Sequence, residues 1–583
     1  MRFFDLFGGH LFDHLFQTDG GIGIAANRRQ RVPHISPDQI GRGHAAANLV
    51  VPADSRLRAG MPLEGRAQIP FKGALIVARH AKAHRVHHAD QLFGVRITGP
   101  RRWPQRLFGL GKFTRLHQIA RRFDVSKGRC RHQQKAHQYL AHLLTLFCLM
   151  AVPVSAQTEQ QIGPDDFIPF DSKQAALGQL LFYDRILSGN RNIACSTCHH
   201  PDLGTGDGLS LGIGEGGEGL GAGRTAGTGA SLIKKRIPRN APGLWNLGAK
   251  GLTVMFHDGR LSVSDAYPSG FDSPAEEWLP TGFNSLLAAQ AVFPLVAQFE
   301  MAGNPRENEI AGAVHDRIDA AWPILAKRVR VTGDYGARFV DAFAHIDKAE
   351  DVTIVDIANA LAAFIGTEWQ SIDSPYDRFL AGDGAALSDA ARRGKDMFFG
   401  KGGCAKCHAG PLFSDQSFHA LRLPPFGPGR TRRFDPMIRD VGRMGESDVL
   451  EDAYRFRTPM LRNVALTAPY GHNGAYPTLA GIIRHHVDPA GSFARWTPAM
   501  AALPDAPAIS AIDFVVWNDR LEMARQAAAN DLMPVAISEE DIADIEAFLH
   551  SLTGAAATTG RLGIPVSVPS GLPVDHGSLA EGD

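Results

Sequence analysis

The sequence is short of several things that would each have pointed elsewhere. Only six of its 583 residues are cysteine. Four of them, Cys195, Cys198, Cys404 and Cys407, sit in two C-x-x-C-H motifs, and Cys130 and Cys148 lie upstream. No set is left for a disulfide framework, so cysteine usage points to cofactor attachment rather than to a stapled scaffold. Net charge is almost absent, with 61 Lys and Arg against 60 Asp and Glu. A long apolar run is missing too. The stretch Leu140–Val154 covers 15 residues, short of the roughly 20 that a membrane-spanning helix needs.

The balanced total hides a split. Residues 1–140 hold 24 Lys and Arg against 8 Asp and Glu, which leaves an acidic remainder. Two such different halves rarely belong to one folded unit. Lys127, Arg129, Arg131 and Lys135 lead into the apolar stretch, and Val154-Ser155-Ala156 follows with small residues before polar Gln157. A basic segment, an apolar core and an A-x-A-like site make a secretory signal peptide over 125–156 and predict a periplasmic protein. Residues 1–124 read as a non-native upstream extension, with translation starting near Val125, or as a disordered basic arm. The arm reading would allow nucleic-acid binding, but no motif with a mechanism supports it, and no nucleic-acid partner is expected.

The remainder repeats one plan. Asp171-Ser172 caps a predicted helix through Gly178, Leu181, Phe182 and Tyr183, with Cys195 beyond it. Ser388 caps another through Gly394, Met397, Phe398 and Phe399, with Cys404 beyond it. Both carry Gly-x-x-(Leu/Met)-aromatic-aromatic. Each half closes on an amphipathic helix, one with Ile354, Ile357, Leu361, Phe364 and Ile365, the other capped by Ser538-x-x-Asp541 with Ile542, Ile545, Phe548, Leu549 and Leu552. The fold class is therefore mainly α: two cytochrome c-like helical domains with long loops, an N-terminal haem domain at 157–380 and a C-terminal one at 387–555. Residues 381–386 read as the linker, and the Gly-, Pro- and Ser-rich tail 556–583 as disordered. The glycine-dense loop 204–230 matches G-x-G-x-x-G at Gly212–Gly217, but no strand precedes it, so it reads as a mobile loop rather than a dinucleotide site.

Cys195-Ser-Thr-Cys198-His199 and Cys404-Ala-Lys-Cys407-His408 carry the chemistry. In such a motif the two thiols add across porphyrin vinyl groups and the adjacent histidine ligates the iron. A zinc site would want further ligand cysteines, and a redox dithiol would want a βαβ setting. Two covalently bound haem c groups, with His199 and His408 as proximal ligands, are the expectation.

With these motifs go Leu187-Ser-Gly-Asn-Arg-Asn-Ile193, Pro238-Arg-Asn240-Ala-Pro242, Phe256-His-Asp-Gly-Arg260, Phe299-Glu300-Met301-Ala302, Leu461-Arg-Asn463 and Leu466-Thr467-Ala-Pro469-Tyr470-Gly-His472. Over about Leu177 to Leu552 the chain resembles the bacterial di-haem cytochrome c peroxidase family, which includes the MauG and MbnH types. The resemblance implies haems near the domain interface, with hydrogen peroxide reacting at the N-terminal haem. Glu300 matches the family's distal acid–base glutamate. The stretch Gly212-Ile-Gly-Glu215-Gly has no histidine where reductively activated members carry one that plugs this haem, which predicts an open site. Glu215 itself is a poor plug. The C-terminal haem is the family's electron-transfer centre, and its distal ligand maps to His486, with His485, Met444 and Met460 as alternatives. The family's inter-haem tryptophan is replaced by His257, which is expected to bond a haem propionate. A structural calcium is implied at Asn240 and the carbonyls of Thr467 and Pro469. Three functions follow. One is a peroxidase fed by a small periplasmic electron donor, the second a MauG/MbnH-like oxidase of tryptophan on a partner protein, the third a non-catalytic di-haem electron carrier. A homodimer is compatible with each, and membrane contact is expected to be peripheral or none.

Overall fold

The computed structural model describes residues 159–430, 437–559 and 561–577. The expected signal peptide at 125–156 and the basic segment 1–124 lie outside the described residues. The described part is mostly helical with little sheet. Antiparallel β1 (Val254–Met255), β2 (Leu261–Val263) and β3 (Phe271–Asp272) form one small sheet, with Met255 opposite Leu261 and Val263 opposite Phe271. The pair β4 (Phe418–His419) and β5 (Phe456–Arg457) forms another. No described helix is long and apolar enough to cross a membrane.

Five helices organise the two halves. Helix α1 (Ser172–Tyr183) starts where the Asp171 carboxylate accepts the N–H groups of Lys173 and Gln174, satisfying donors that have no partner inside the helix. It crosses α2 (Ile354–Glu368). In the second half α3 (Asp389–Phe399), capped by Ser388, crosses α5 (Glu539–His550), capped by the Ser538–Asp541 box. Helix α4 (Leu479–Val487) lies between α3 and α5 in sequence.

The crossings explain the repeated motif. A Cβ on Gly178 would lie 1.9 Å from the Ala360 carbonyl oxygen, and one on Gly394 would lie 1.8 Å from that of Asp544. Only glycine lets each pair of backbones approach so closely. Four residues on, the motif aromatic meets the closing helix, Phe182 on Phe364 and Phe398 on Phe548, both at 5.2 Å between ring centroids. Each pair anchors its own core. One contains Leu181, Ile357, Leu361 and Trp369, the other Phe413, Ile545 and Leu552.

Two segments depart from the sequence reading. The tail expected to be disordered is ordered over 561–577 and straps back onto the first half. Buried Glu368 accepts the N–H groups of Arg561, Leu562 and Gly563. The Asp575 carboxylate takes Arg185 at 2.6 Å and the Thr197 hydroxyl at 2.5 Å. The composition is poor in apolar side chains, but hydrogen bonds from an extended backbone hold the strap where burial alone would not. The glycine-rich loop read as mobile is laced together by buried Arg224. Its guanidinium donates to the carbonyls of Ile213, Gly214 and Gly219 at 2.6–2.8 Å.

Candidate active site

Both C-x-x-C-H motifs open onto one cavity of about 1080 Å³, whose lining includes Cys195, Cys198, His199, Cys404, Cys407 and His408. Burial raises the thiols, Cys195 and Cys198 to about 12 and Cys404 to about 11. Among the described residues the one three-membered group of ligand type is Cys407, Asp415 and His419. It leaves Cys404 out, so neither pair closes a tetrahedral zinc site.

Backbone geometry aims the histidines. Cys195–Cys198 is a single helical turn and Cys404–Lys406 a tighter one, and in each the histidine N–H returns to the first cysteine's carbonyl. His199 Nδ1 lies 2.9 Å from the Thr205 carbonyl, and His408 Nδ1 lies 3.0 Å from that of Phe413. A carbonyl only accepts, so each Nδ1 carries the proton and each Nε2 is left with a lone pair. On α4, His486 does the same, with Nδ1 2.8 Å from the Ile482 carbonyl. Its ring faces His408 at 6.4 Å between centroids. Two imidazoles bonded across one metal ion, at roughly 2.0 Å per bond with ring centres roughly 1.1 Å further on, would be separated by roughly 6.2 Å. His485, Met460 and Met444 are placed differently. Fully buried His485 has Nε2 on the Leu421 carbonyl and Nδ1 on the Tyr476 hydroxyl, so both its nitrogens are engaged. Met460 lines the cavity, and Met444 is not among the lining residues.

Glu300 also lines the cavity, on a wide π-type turn over Gln298–Ala302, a kind of irregularity often found at functional sites. Burial raises its carboxyl above the ordinary glutamate range, while the guanidinium groups of Arg260, Arg430 and Arg239 pull it partly back. The glycine loop backs this turn. Glu215 N–H donates to the Glu300 carbonyl at 3.0 Å, and a Cβ on Gly214 would lie 1.9 Å from the Phe299 carbonyl. The Glu215 carboxylate is held by the side-chain amides of Asn190 and Asn192 at 2.6 and 2.8 Å and is not on the cavity wall.

A charge network that sequence reasoning missed lies beside Glu300. Fully buried Asp258 is ion-paired with Arg239 at 2.6 Å and accepts hydrogen bonds from Arg430 at 3.0 Å and Arg260 at 3.2 Å, and Arg239 grips Asp440 with two hydrogen bonds. These guanidiniums hold Asp258 far below the usual carboxylate range. All but Asp440 and Arg430 stand inside motifs already picked out, and nothing in a linear motif says that they converge. His257 lies on the same wall. Its Nε2 lies 3.1 Å from the Asn240 carbonyl, so that nitrogen donates there and Nδ1 is an acceptor. Burial drops its pKa to about 4. Asn240, Thr467 and Pro469 share the cavity wall, and the Asn240 amide N–H donates to the Leu209 carbonyl at 2.7 Å, which leaves its side-chain oxygen for another partner.

The chain has relatives among known proteins. A family model described as di-haem cytochrome c peroxidase matches residues 172–385. Cytochrome-c peroxidase IdrP1 of Denitromonas iodatirespirans is 31% identical over 338 residues, covering 54% of this chain and 72% of that protein. The chain belongs to the di-haem cytochrome c peroxidase family. The methylamine utilization protein MauG of Methylorubrum extorquens is 29% identical over 321 residues, 55% of this chain and 70% of that one. A solved structure of a MauG-like protein associated with microbial copper homeostasis is 25% identical, covering 70% of this chain and 96% of that one, with a TM-score of 0.45.

Membership of the di-haem peroxidase family implies haem c, and the cavity fits it. Ten Lys and Arg side chains line the wall against three carboxylates, an excess suited to haem propionates. Arg457 carries the sharpest sign. Burial alone, with no carboxylate beside it, pushes its guanidinium down to about 10. Half-buried, it donates to the carbonyls of Phe256 and Thr458, and an anion in the cavity would supply the counter-charge it lacks. Arg422 adds a buried Nε with no hydrogen-bond partner.

Proposed function

We propose that peroxide is reduced at the haem held by Cys195, Cys198 and His199, with Glu300 as the acid–base residue. Cys404, Cys407, His408 and His486 would hold a second haem, which would supply electrons for that reduction. The single observation that carries this reading is Glu300, a half-buried carboxyl on the wall of the cavity it shares with His199.

The haems supply the iron site that takes peroxide and the electrons that reduce it. The chain supplies the rest. As a carboxylate, Glu300 removes the proton from one peroxide oxygen. As the acid, it returns that proton to the other oxygen, which leaves as water. Its raised pKa brings both forms nearer to working pH, which is what a two-way proton carrier needs. The hydrogen bonds from His199 and His408 Nδ1 to backbone carbonyls fix each ring's tautomer and raise the basicity of the facing nitrogen. The Asp258 network keeps the positive wall rigid beside Glu300.

The first haem is open at rest in this reading, because the loop beside it carries no histidine and Glu215 is engaged by Asn190 and Asn192. The two cores support a peroxidatic haem domain at 157–380 and an electron-transfer domain at 387–555. Asn240 with the carbonyls of Thr467 and Pro469 is the proposed calcium position, a set of neutral oxygens that a hard cation accepts. Export to the periplasm rests on the segment 125–156. A small periplasmic donor is the expected reductant. The open site also favours a second reading, MauG-like oxidation of a partner protein.

Absorption and EPR spectra of the ferric protein, before and after one equivalent of hydrogen peroxide, test the proposal. One high-spin and one low-spin haem, with peroxide reacting without prior reduction, is the expected result. Two low-spin haems inert to peroxide would return the chain to electron carriers or to enzymes that need reductive activation.

A further inference from the structure

The wide turn that carries Glu300 is held from outside itself. Across Gln298–Ala302 the N–H groups of Glu300, Met301 and Ala302 all return to the Ala297 carbonyl at 3.0–3.1 Å. The carbonyls of the same three residues take their donors from other segments. Glu215 N–H donates to Glu300 at 3.0 Å, Gly189 N–H to Met301 at 2.7 Å, and the Asn308 side-chain amide to Ala302 at 3.0 Å. A Cβ on Gly189 would lie 1.9 Å from the Ala302 carbonyl oxygen, so the turn is gripped between the Gly189 and Gly214 backbones. Side chains then tie these segments to one another. The Asn190 amide donates to Glu215 at 2.6 Å and to Glu307 at 3.3 Å, and its oxygen accepts from Asn308 at 2.9 Å. Asn192 donates to the same Glu215 oxygen at 2.8 Å. The base is fixed in turn, because the buried Arg328 guanidinium donates to the carbonyls of Ile186 and Ser188 at 3.0 and 2.6 Å.

We propose that Glu215, Asn190 and Asn192 form a clasp of positioning residues that holds the Glu300 carboxyl in place from behind the cavity wall. The inference rests on the acid–base role proposed above for Glu300. None of the three lines the cavity, so their action on the site runs through the turn. A group that passes a proton between two oxygens must stay within hydrogen-bond reach of both, and a displacement of about 1 Å can cost about a hundredfold in rate. The Glu215 side chain, 9% exposed, is where the glycine loop is fastened. Releasing it frees the Glu215 peptide to swing away and takes its N–H off the Glu300 carbonyl. The charged groups that act on Glu300 are Arg260, Arg430, Arg239 and Asp258, and all four lie outside the clasp. Loosening the clasp therefore changes the position and hydration of Glu300 and leaves those charges where they are.

The test compares Glu215→Ala, Glu215→Gln and Asn190→Ala in the di-haem protein. Hydrogen–deuterium exchange read by peptide mass spectrometry follows the backbone over 297–303, and kcat/KM for hydrogen peroxide is measured against pH. The haem absorption spectrum reports whether each variant has folded around its haems. Glu215→Ala should speed exchange over 297–303 and lower kcat/KM by about tenfold or more. It should also move the acid limb of the profile down towards that of an ordinary glutamate, because water then reaches the carboxyl. Glu215→Gln keeps an oxygen that can accept both amides, so it should restore slow exchange and most of the rate. Asn190→Ala should behave like Glu215→Ala, and it carries the comparison if Glu215→Ala does not fold. Parental exchange in the alanine variants would overturn the clasp, as would faster exchange with an unchanged rate and acid limb. Glu215→Gln as impaired as Glu215→Ala would assign the effect to the Glu215 charge and overturn it as well. If Glu300→Gln itself keeps the parental rate, the acid–base reading has failed and the clasp has nothing to position.

Discussion

Replacing Gly394 with alanine sets two effects of known size against each other. In a helix interior, glycine to alanine is worth about 1 kcal/mol in favour of the helix, so propensity alone predicts a more stable protein. The crossing of α3 and α5 predicts the reverse. The added Cβ would lie 1.8 Å from the Asp544 carbonyl oxygen and 2.3 Å from its carbon, where ordinary contact begins near roughly 3.3 Å. The helices must part by roughly 1.5 Å, an overpacking strain of about 1–3 kcal/mol. Parting also loosens Phe398 against Phe548 at 5.2 Å and Phe413 at 6.0 Å, contacts worth about 0.5–1.5 kcal/mol each. Net destabilisation of about 1–3 kcal/mol should remain. Denaturant unfolding followed by tryptophan fluorescence measures it. Gly312→Ala is the control, because that helical glycine has open space where the Cβ would go, and it should stabilise slightly. A Gly394→Ala protein as stable as its parent would refute the close-crossing account of the repeated motif, and Gly178→Ala at Ala360 offers an independent repeat.

Three further outcomes are expected. Glu300→Gln should lower kcat/KM for hydrogen peroxide by roughly a hundred- to ten-thousand-fold while leaving both haem spectra in place. In the parent, the rate should fall as pH drops through the Glu300 pKa, because the base form is lost. Burial raises that pKa, so the falling limb lies at higher pH than for an ordinary glutamate and disappears in Glu300→Gln. Asp258→Asn should cost roughly 3–5 kcal/mol near neutral pH, because it leaves three guanidiniums without their shared counter-charge. The Asp258 pKa is depressed on folding, so its contribution is fully present above about pH 4 and is lost as pH falls further. Asp575→Ala should cost about 1–3 kcal/mol by freeing Thr197 and Arg185, and limited proteolysis should then cut within 561–577 faster than in the parent. An unchanged cleavage rate would mean that the strap does not depend on Asp575.

Much of the architecture was legible because it follows from local rules. The capping residues Asp171, Ser388 and Ser538 mark helix starts through hydrogen bonds to donors one turn on, a relation confined to a few residues. The apolar spacing of α2 and α5 and the repeated Gly-x-x-(Leu/Met)-aromatic-aromatic motif are likewise written along the chain. So are the C-x-x-C-H motifs, because attachment chemistry demands the thiols and the imidazole within one turn. The tail misled for the opposite reason. Its composition cannot build a core, but its binding partners, Glu368, Arg185 and Thr197, lie far away in sequence.

The sequence by itself determined that two C-x-x-C-H motifs each follow a capped helix and that two adjacent histidines follow at 485 and 486, while Glu300 stood out only through the family resemblance. Tertiary structure alone decided which of these groups share a space. His485 and His486 differ by one position, yet the helical turn rotates one ring onto Tyr476 and Leu421 and the other toward His408. Glu215 and Glu300 are both acidic residues of loops, yet only Glu300 faces the cavity. Asp258 gathers Arg239, Arg260 and Arg430 from three separate segments. Convergence of this kind depends on how helices cross and loops close, and long-range packing sets those distances where no local pattern along the chain records them.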